Sequence, residues 1–327
     1  MSEDDQDLAR LLRSAGPRAR PSPEAMADVR RVVEAEWRAT VAARRRRSEW
    51  RYVSAAAGVA VAAVALWLAR PLYLSPPAPV ATVAWVEGQA EVREGPGGAW
   101  RGVAAAMKLR PDAELRTAGD GRVALTLAQG VDLRMDSGTR LALDDSTHAS
   151  LAAGAVYVDS GAGAAARARD LTVETPFGEV RHLGTQYEAR LLDGALRVAV
   201  REGLVAVRRG RSDVVGSAGE QLLIRDRGVA RSALSASDAQ WDWAGRVAPP
   251  FDIEGRSLDD FLAWAARETG RTVVYASREA EQRANETVLS GSIAGLAPDA
   301  ALDAVLSTTE LRHSVRSDHI RVETEVP

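Results

Sequence analysis

Hydrophobic and polar positions change rhythm three times along the chain, and each change predicts a different kind of element. From Met26 the apolar residues recur at helical spacing: Met26, Val29, Val33 and Trp37 share one stripe, with Val32 beside them. Ser22-Pro23-Glu24 supplies the start signal, a capping serine followed by proline at the first helical position. A lone amphipathic helix of this length is marginal in water, so the stripe wants a surface to pack on. Two readings stay open at this point: a docking helix for a cytoplasmic partner, or a helix that self-associates or runs on into the next apolar segment.

That next segment is apolar all round. Val53–Ala69 carries no charge, and Tyr52–Leu74 is interrupted only by Arg70, which predicts one transmembrane helix against the roughly 20 residues a bilayer requires. Arg44, Arg45, Arg46, Arg47 and Arg51 stand just before it and put the N-terminus in the cytoplasm by the positive-inside rule. Trp50 and Tyr52 at one end, with Trp67 and Tyr73 near the other, suit the two headgroup belts. About fifty residues precede the run, too many for the basic leader of a cleaved signal peptide. Pro71, Pro76, Pro77 and Pro79 make a stiff exit.

From Val83 the period becomes two. Val123, Leu125 and Leu127 alternate with polar residues, turn through Ala128-Gln129-Gly130, and resume at Val131, Leu133 and Met135, a hairpin with one buried face. The pattern returns at Leu141 and Leu143, Val156 and Val158, Leu171 and Val173, and Leu204–Val207. Tyr187–Leu191 leads through Asp193-Gly194 into Leu196–Val200, and Leu222–Ile224 closes the series. Short strands with almost no helix between them predict an all-β sandwich, barrel or jelly-roll-like wrap.

After Pro249-Pro250 strands and helices mix. Phe251–Ile253 is a predicted strand, and Ser257 caps a helix that ends at Gly270. Thr272–Tyr275 and Val288–Ile293 are further strands, Pro298–Leu306 is a second helix, and Leu311–Val315 with Ile320–Val322 form a hairpin. This is a small α+β module of βαβ-βαβ order. The chain is thus multi-domain: a short helical cytoplasmic tail (1–51), one transmembrane helix (52–74), a linker (75–82), a β-rich domain (83–246) and an α+β domain (247–327).

Composition removes several chemistries. There is no cysteine, which excludes disulfides, cysteine zinc sites and cysteine nucleophiles. A net charge of −3 gives no sign of direct nucleic-acid binding. His148, His182, His313 and His319 show no ligand spacing; His182 reads as a buried, hydrogen-bonded histidine or as a plain strand residue. Gly161-Ala162-Gly163-Ala164-Ala165-Ala166 matches a dinucleotide fingerprint in letters only. No βαβ unit surrounds it, and it reads as a flexible connection. With no nucleophile elbow and no P-loop, the chain predicts no enzyme and no cofactor.

Leu171–Arg208 resembles the core of the FecR family. The resemblance lies in the turn Thr175-Pro176-Phe177-Gly178, the step Leu183-Gly184-Thr185-Gln186-Tyr187, and Glu202-Gly203 before a strand. It extends over roughly Val83–Ala230. The C-terminal segment is similar to the short N-terminal domain shared by secretins and TonB-dependent receptors, through Gly255-Arg256-Ser257-Leu258, the helix ending at Gly270, and Leu289-Ser290-Gly291. Physically, Gly178, Gly184 and Gly203 mark turns or close backbone approaches, a scaffold signature rather than a catalytic one.

The resemblance implies a single-pass regulator of the bacterial inner membrane, with its C-terminus in the periplasm. It would carry a signal from the signalling domain of a TonB-dependent receptor, often one bearing an iron chelate, to an extracytoplasmic-function (ECF) sigma factor. Met26, Val29, Val33 and Trp37 would then meet the sigma factor, and Phe251, Ile253, Leu289 and Ile320 would mark the receptor-side module. The tail departs from the family pattern, being short, with Trp37 and Trp50 as its only tryptophans. A membrane-anchored periplasmic scaffold with no transcriptional role is the alternative. The resemblance also implies self-cleavage between Gly184 and Thr185, against the reading of a tight turn that stays intact.

Overall fold

The computed structural model describes residues 23, 24, 26–28, 30–38, 77–95, 97–161, 170–182 and 184–324. The chain divides into two compact units, 1–76 and 77–327. In the first, the described positions between 23 and 38 are helical (α1), where the spacing of the apolar stripe predicts it. Met26, Val32, Val33 and Trp37 are all more than half exposed. Arg31 pairs with Asp28 one turn away, and Arg38 with Glu34 at 3.2 Å. Val29 and the expected span 52–74 lie outside the described residues. Among the described residues no helix is long and apolar enough to cross a membrane.

The second unit opens with eighteen described strands. In chain order they begin β1 (Ala81–Glu87), β2 (Ala90–Glu94), β3 (Arg101–Gly102), β4 (Lys108–Leu109), β5 (Ala113–Thr117) and β6 (Arg122–Leu127). Then come β7 (Asp132–Met135), β8 (Arg140–Leu143), β9 (His148–Ala153), β10 (Ala155–Asp159), β11 (Thr172–Thr175) and β12 (Gly178–His182). The series ends with β13 (Gln186–Leu192), β14 (Ala195–Glu202), β15 (Leu204–Arg209), β16 (Ser212–Ser217), β17 (Glu220–Arg225) and β18 (Gly228–Ala233).

They form two sheets, the first in the order β4-β1-β6-β7-β10-β13-β14-β17-β18 and the second β3-β2-β5-β8-β9-β11-β12-β15-β16. The chain alternates between the sheets in excursions of one or two strands; β3 and β4 close the opposite edges, and from β5 onward each excursion adds to the same advancing edge. The sandwich expectation therefore holds, but the jelly-roll-like variant does not, because no late strand returns to lie beside an early one. Pairing is antiparallel except between β9 and β11. The expected hairpin is present, with Leu125 opposite Leu133. Alternation turns Leu125, Leu133, Val156, Val158, Tyr187, Val198 and Val200 into one core between the sheets.

The first sheet is covered on its other face as well, which is why all five residues of β10 are buried. The cover begins with Trp241 and α2 (Asp242–Arg246), then α3 (Leu258–Thr269). Ser257 caps α3 by accepting the Asp260 N–H, and Gly270 ends it in the left-handed region at φ 68°. Next come β19 (Thr272–Tyr275), α4 (Arg278–Glu286), α5 (Pro298–Leu306), β20 (Leu311–Val315) and β21 (His319–Thr324), with the strands in the order β19-β21-β20.

The expected βαβ-βαβ order is corrected in two places. Phe251–Ile253 and Val288–Ile293 are not strands: a single bridge, Ser257 with Val288, is all that forms there. Ile253, Leu289 and Ile293 are apolar because they fill the module's core, and burial of a loop residue leaves the same trace as burial of a strand residue. The unexpected helix is α4, which is polar apart from the buried pair Ala280 and Ala284, too narrow a stripe to stand out.

Candidate functional site

The outer face of the first sheet is charged where it meets the helices. Arg134 on β7 is almost wholly buried and forks onto Glu268 of α3 at 2.7 and 2.8 Å, while also donating to the Ala244 carbonyl at 2.9 Å. Its guanidinium lies over the Tyr157 ring at 5.1 Å. Burial works against the Arg134 charge, but the charge and hydrogen bonds of Glu268 outweigh it and hold the proton more tightly than usual. Burial also pushes the Tyr157 phenol up to about 12.

Two further contacts tie the same surfaces. Arg201 on β14 donates to the carbonyls of Ala236 at 2.6 Å and Glu268 at 2.9 Å, and lies over Trp241. Glu188 on β13, fully buried, accepts the Trp243 indole N–H at 2.8 Å and pairs with Arg190 and Arg197. One apolar cluster joins in: Ala155, Tyr157, Ala199, Trp241, Trp243 and Ala244. This is a joint made of forks and rings, with bidentate geometry that an apolar surface could not impose.

At one end of the joint sits Arg267 of α3. It holds Asp159 through Nε at 3.0 Å and through a second, Nη2, contact; it also reaches the Gly161 carbonyl at 2.8 Å and Glu202 at 2.5 Å. Gln186 donates to the same Asp159 carboxylate at 2.8 Å. Burial raises the Asp159 pKa, but the Arg267 hydrogen bonds and charge, with Gln186 and the Gly161 N–H, overcome it and hold the carboxyl below its ordinary value.

Beside this anchor lies the Gly184–Thr185 step. Gly184 has φ 72°. Thr185 is buried, its N–H donates to Ser160 Oγ at 2.9 Å, and its carbonyl accepts from the Ser160 hydroxyl at 3.3 Å and the Ser160 N–H at 3.2 Å. Thr185 Oγ1 has no hydrogen-bond partner among the described residues. Gly203 is required here by contact: at φ 78°, a Cβ on it would stand 2.3 Å from the Gly184 carbonyl oxygen. Where β13 meets β14 the register shifts between Gln186, opposite Glu202, and Tyr187, opposite Val200, and so absorbs an extra residue.

The Thr175–Gly178 turn is also fixed by close backbone contact. Thr175 Oγ1 donates to the Gly178 carbonyl at 2.7 Å and accepts the Phe177 N–H at 3.2 Å, closing the β11–β12 hairpin over Pro176. Gly178, at φ 133°, passes so close to Arg208 that a Cβ would lie 2.4 Å from its carbonyl oxygen. Residues 113–206 match the model of the family described as FecR protein. These residues form a FecR domain. It includes Thr175, Pro176, Gly178, Leu183, Gly184, Thr185, Tyr187, Glu202 and Gly203, although Leu183 lies outside the described residues. The match is narrower than the resemblance over Val83–Ala230.

Two crystal structures, each of a Parabacteroides distasonis ATCC 8503 protein provisionally named an anti-sigma factor, are similar over 64% and 65% of this chain. They are matched over 97% and 99% of their own length, each at 16% identity, with TM-scores of 0.33 and 0.35. No curated protein matches.

Around the FecR domain the expected positions fall as follows. His182, at the end of β12, is buried beside Tyr187 with ring centroids 6.1 Å apart, and neither ring nitrogen has a partner among the described residues. Burial lowers its pKa and keeps it neutral. Of the dinucleotide-like run only Gly161 is described. Ile253, Leu289 and Ile320 are core residues of the C-terminal module, and Phe251 stacks on Trp264 at 5.4 Å. Ile253 and Leu289 also line an open groove of about 620 Å³ with Val288, Leu311 and Glu310. Val288, two-thirds exposed, is what the surface offers there. Nothing in the sequence singles out Arg134, Asp159, Arg267 or Glu268: a lone charge on a strand or on a helix has the same local pattern as a solvent-facing residue. Among the described residues no group of His, Asp and Glu is arranged to hold a metal.

Proposed function

We propose that this chain is a single-pass inner-membrane regulator that controls an ECF sigma factor. The FecR domain carries this reading. On it, residues 52–74 span the membrane behind the arginine run and the tail is cytoplasmic. The exposed stripe of α1, with Met26, Val33 and Trp37, holds the sigma factor. The periplasmic half receives its signal from the signalling domain of a TonB-dependent receptor through the C-terminal module, with the groove beside Val288 as its contact surface. Neither role needs a cofactor or turnover chemistry.

The test is co-purification of the full chain, in detergent, with ECF sigma factors of the same organism. Binding that is lost in a Val33→Glu, Trp37→Ala variant supports the reading. A chain that binds a receptor signalling domain but no sigma factor is a periplasmic scaffold instead.

A buried Thr185 hydroxyl with no described partner, next to a glycine at φ 72°, favours self-cleavage at this step. Thr185 Oγ1 adds to the Gly184 carbonyl carbon, its proton passes to the Thr185 nitrogen, and the C–N bond breaks to leave an ester. Water then opens the ester to a Gly184 carboxylate and a Thr185 with free hydroxyl and amine. A denaturing gel showing one full-length band alone contradicts this.

A further inference from the structure

Ser160 and Gly203, which both touch the Gly184–Thr185 step, are each next in sequence to a residue held by Arg267. Ser160, which accepts the Thr185 N–H and donates to the Thr185 carbonyl, lies between Asp159 and Gly161. Arg267 holds the first by its carboxylate and the second by its carbonyl. Gly203, which backs the Gly184 carbonyl, follows Glu202, a third Arg267 contact. Gln186, the residue after Thr185, shares the Asp159 carboxylate and approaches the Arg267 carbonyl at 3.4 Å. One guanidinium, carried by a helix of the C-terminal module, thus fixes the strand ends on both sides of the step.

We propose that Arg267 is a positioning residue for the Gly184–Thr185 step, so that the step is organised only while α3 is docked on the first sheet. The inference rests on the self-cleavage reading. Acyl transfer from nitrogen to the adjacent hydroxyl closes a five-membered ring, and its rate depends on how closely Oγ1 is held against the carbonyl carbon. Ser160 and Gly203 hold that geometry, and Arg267 holds both. A partner that moves α3 would change the rate without touching the step. The C-terminal module thereby acquires a physical line to β13.

The experiment uses the full chain in detergent, as wild type, Arg267→Ala, Arg267→Lys and Arg271→Ala. Arg271 contacts Asp299 and the Arg316 carbonyl and serves as a control on the same module. The conversion of full-length chain into two fragments is followed on gels, with near-UV circular dichroism confirming the fold. Amide exchange at 184–187 is read in a Thr185→Ala background, where no acyl shift occurs. Wild-type cleavage that slows by about tenfold or more in Arg267→Ala, is partly restored in Arg267→Lys and is unchanged in Arg271→Ala supports the proposal.

Wild-type cleavage with an unaltered Arg267→Ala rate overturns it. A wild type that never cleaves removes the self-cleavage reading alone, and exchange then decides. Faster exchange at 184–187 on loss of Arg267 supports positioning, and unchanged exchange overturns it. If Arg267→Ala fails to fold, Glu202→Gln removes one contact and is read the same way, with a smaller effect.

Discussion

The two faces of the first sheet are held by different physics. Its inner face meets the second sheet through aliphatic side chains such as Leu125, Leu133 and Val198, with alternation doing all the ordering. Its outer face meets α2 and α3 through Arg134, Glu188 and Arg201, each with specific partners. An apolar interface tolerates small shifts, because burial is roughly proportional to area and has no direction. A buried fork does not: moving it leaves a charge unpaired in a poorly polarisable place. The inner face suits a scaffold, and the outer face suits a joint that is docked in one geometry.

The largest expected effect comes from Glu268→Ala. It strands Arg134 inside the joint, and a broken buried pair costs about 3–5 kcal/mol, read as a lower midpoint in urea unfolding. On the inner face, Leu133→Ala opens a cavity at a cost of about 2–5 kcal/mol. The two differ in kind: the Leu133 variant loosens both sheets, whereas the Glu268 variant frees the C-terminal module first. Limited proteolysis separates them, with early cutting confined to the segment after Trp243 in the Glu268 variant.

Most of the inner face was legible in the sequence. Leu125 and Leu133 alternate with polar residues on either side of a turn, and a half-buried strand has no other way to be written. The FecR domain was legible for a similar reason, since Gly178 and Gly203 are forced by contacts under 2.5 Å that no other residue survives. The joint was not legible. Arg134 and Glu268 are 134 positions apart, and neither differs locally from an exposed charge. The strands expected at Phe251 and Val288 failed for the converse reason: burial in a loop imitates burial in a strand.

Smaller effects sharpen the contrast at the step itself. Gly203→Ala drives a Cβ against the Gly184 carbonyl at a left-handed φ, costing about 1–3 kcal/mol and displacing the Thr185 amide, visible as faster exchange there. The gentlest perturbation is acid. The Asp159 carboxyl is held below its ordinary value in the folded chain. Its stabilising contribution is therefore complete above the unfolded value of about 3.9 and is lost as pH falls below it. Arg267→Ala removes most of that dependence, so acid unfolding curves of the two proteins should converge at low pH.

A double-mutant cycle on Arg134→Met and Glu268→Leu tests most directly whether paired charges hold the joint. Each single change should cost about 3–5 kcal/mol in urea unfolding, and the pair together much less than the sum, since the second change removes the charge the first left stranded. Two single costs that simply add would contradict it and reduce the joint to ordinary packing.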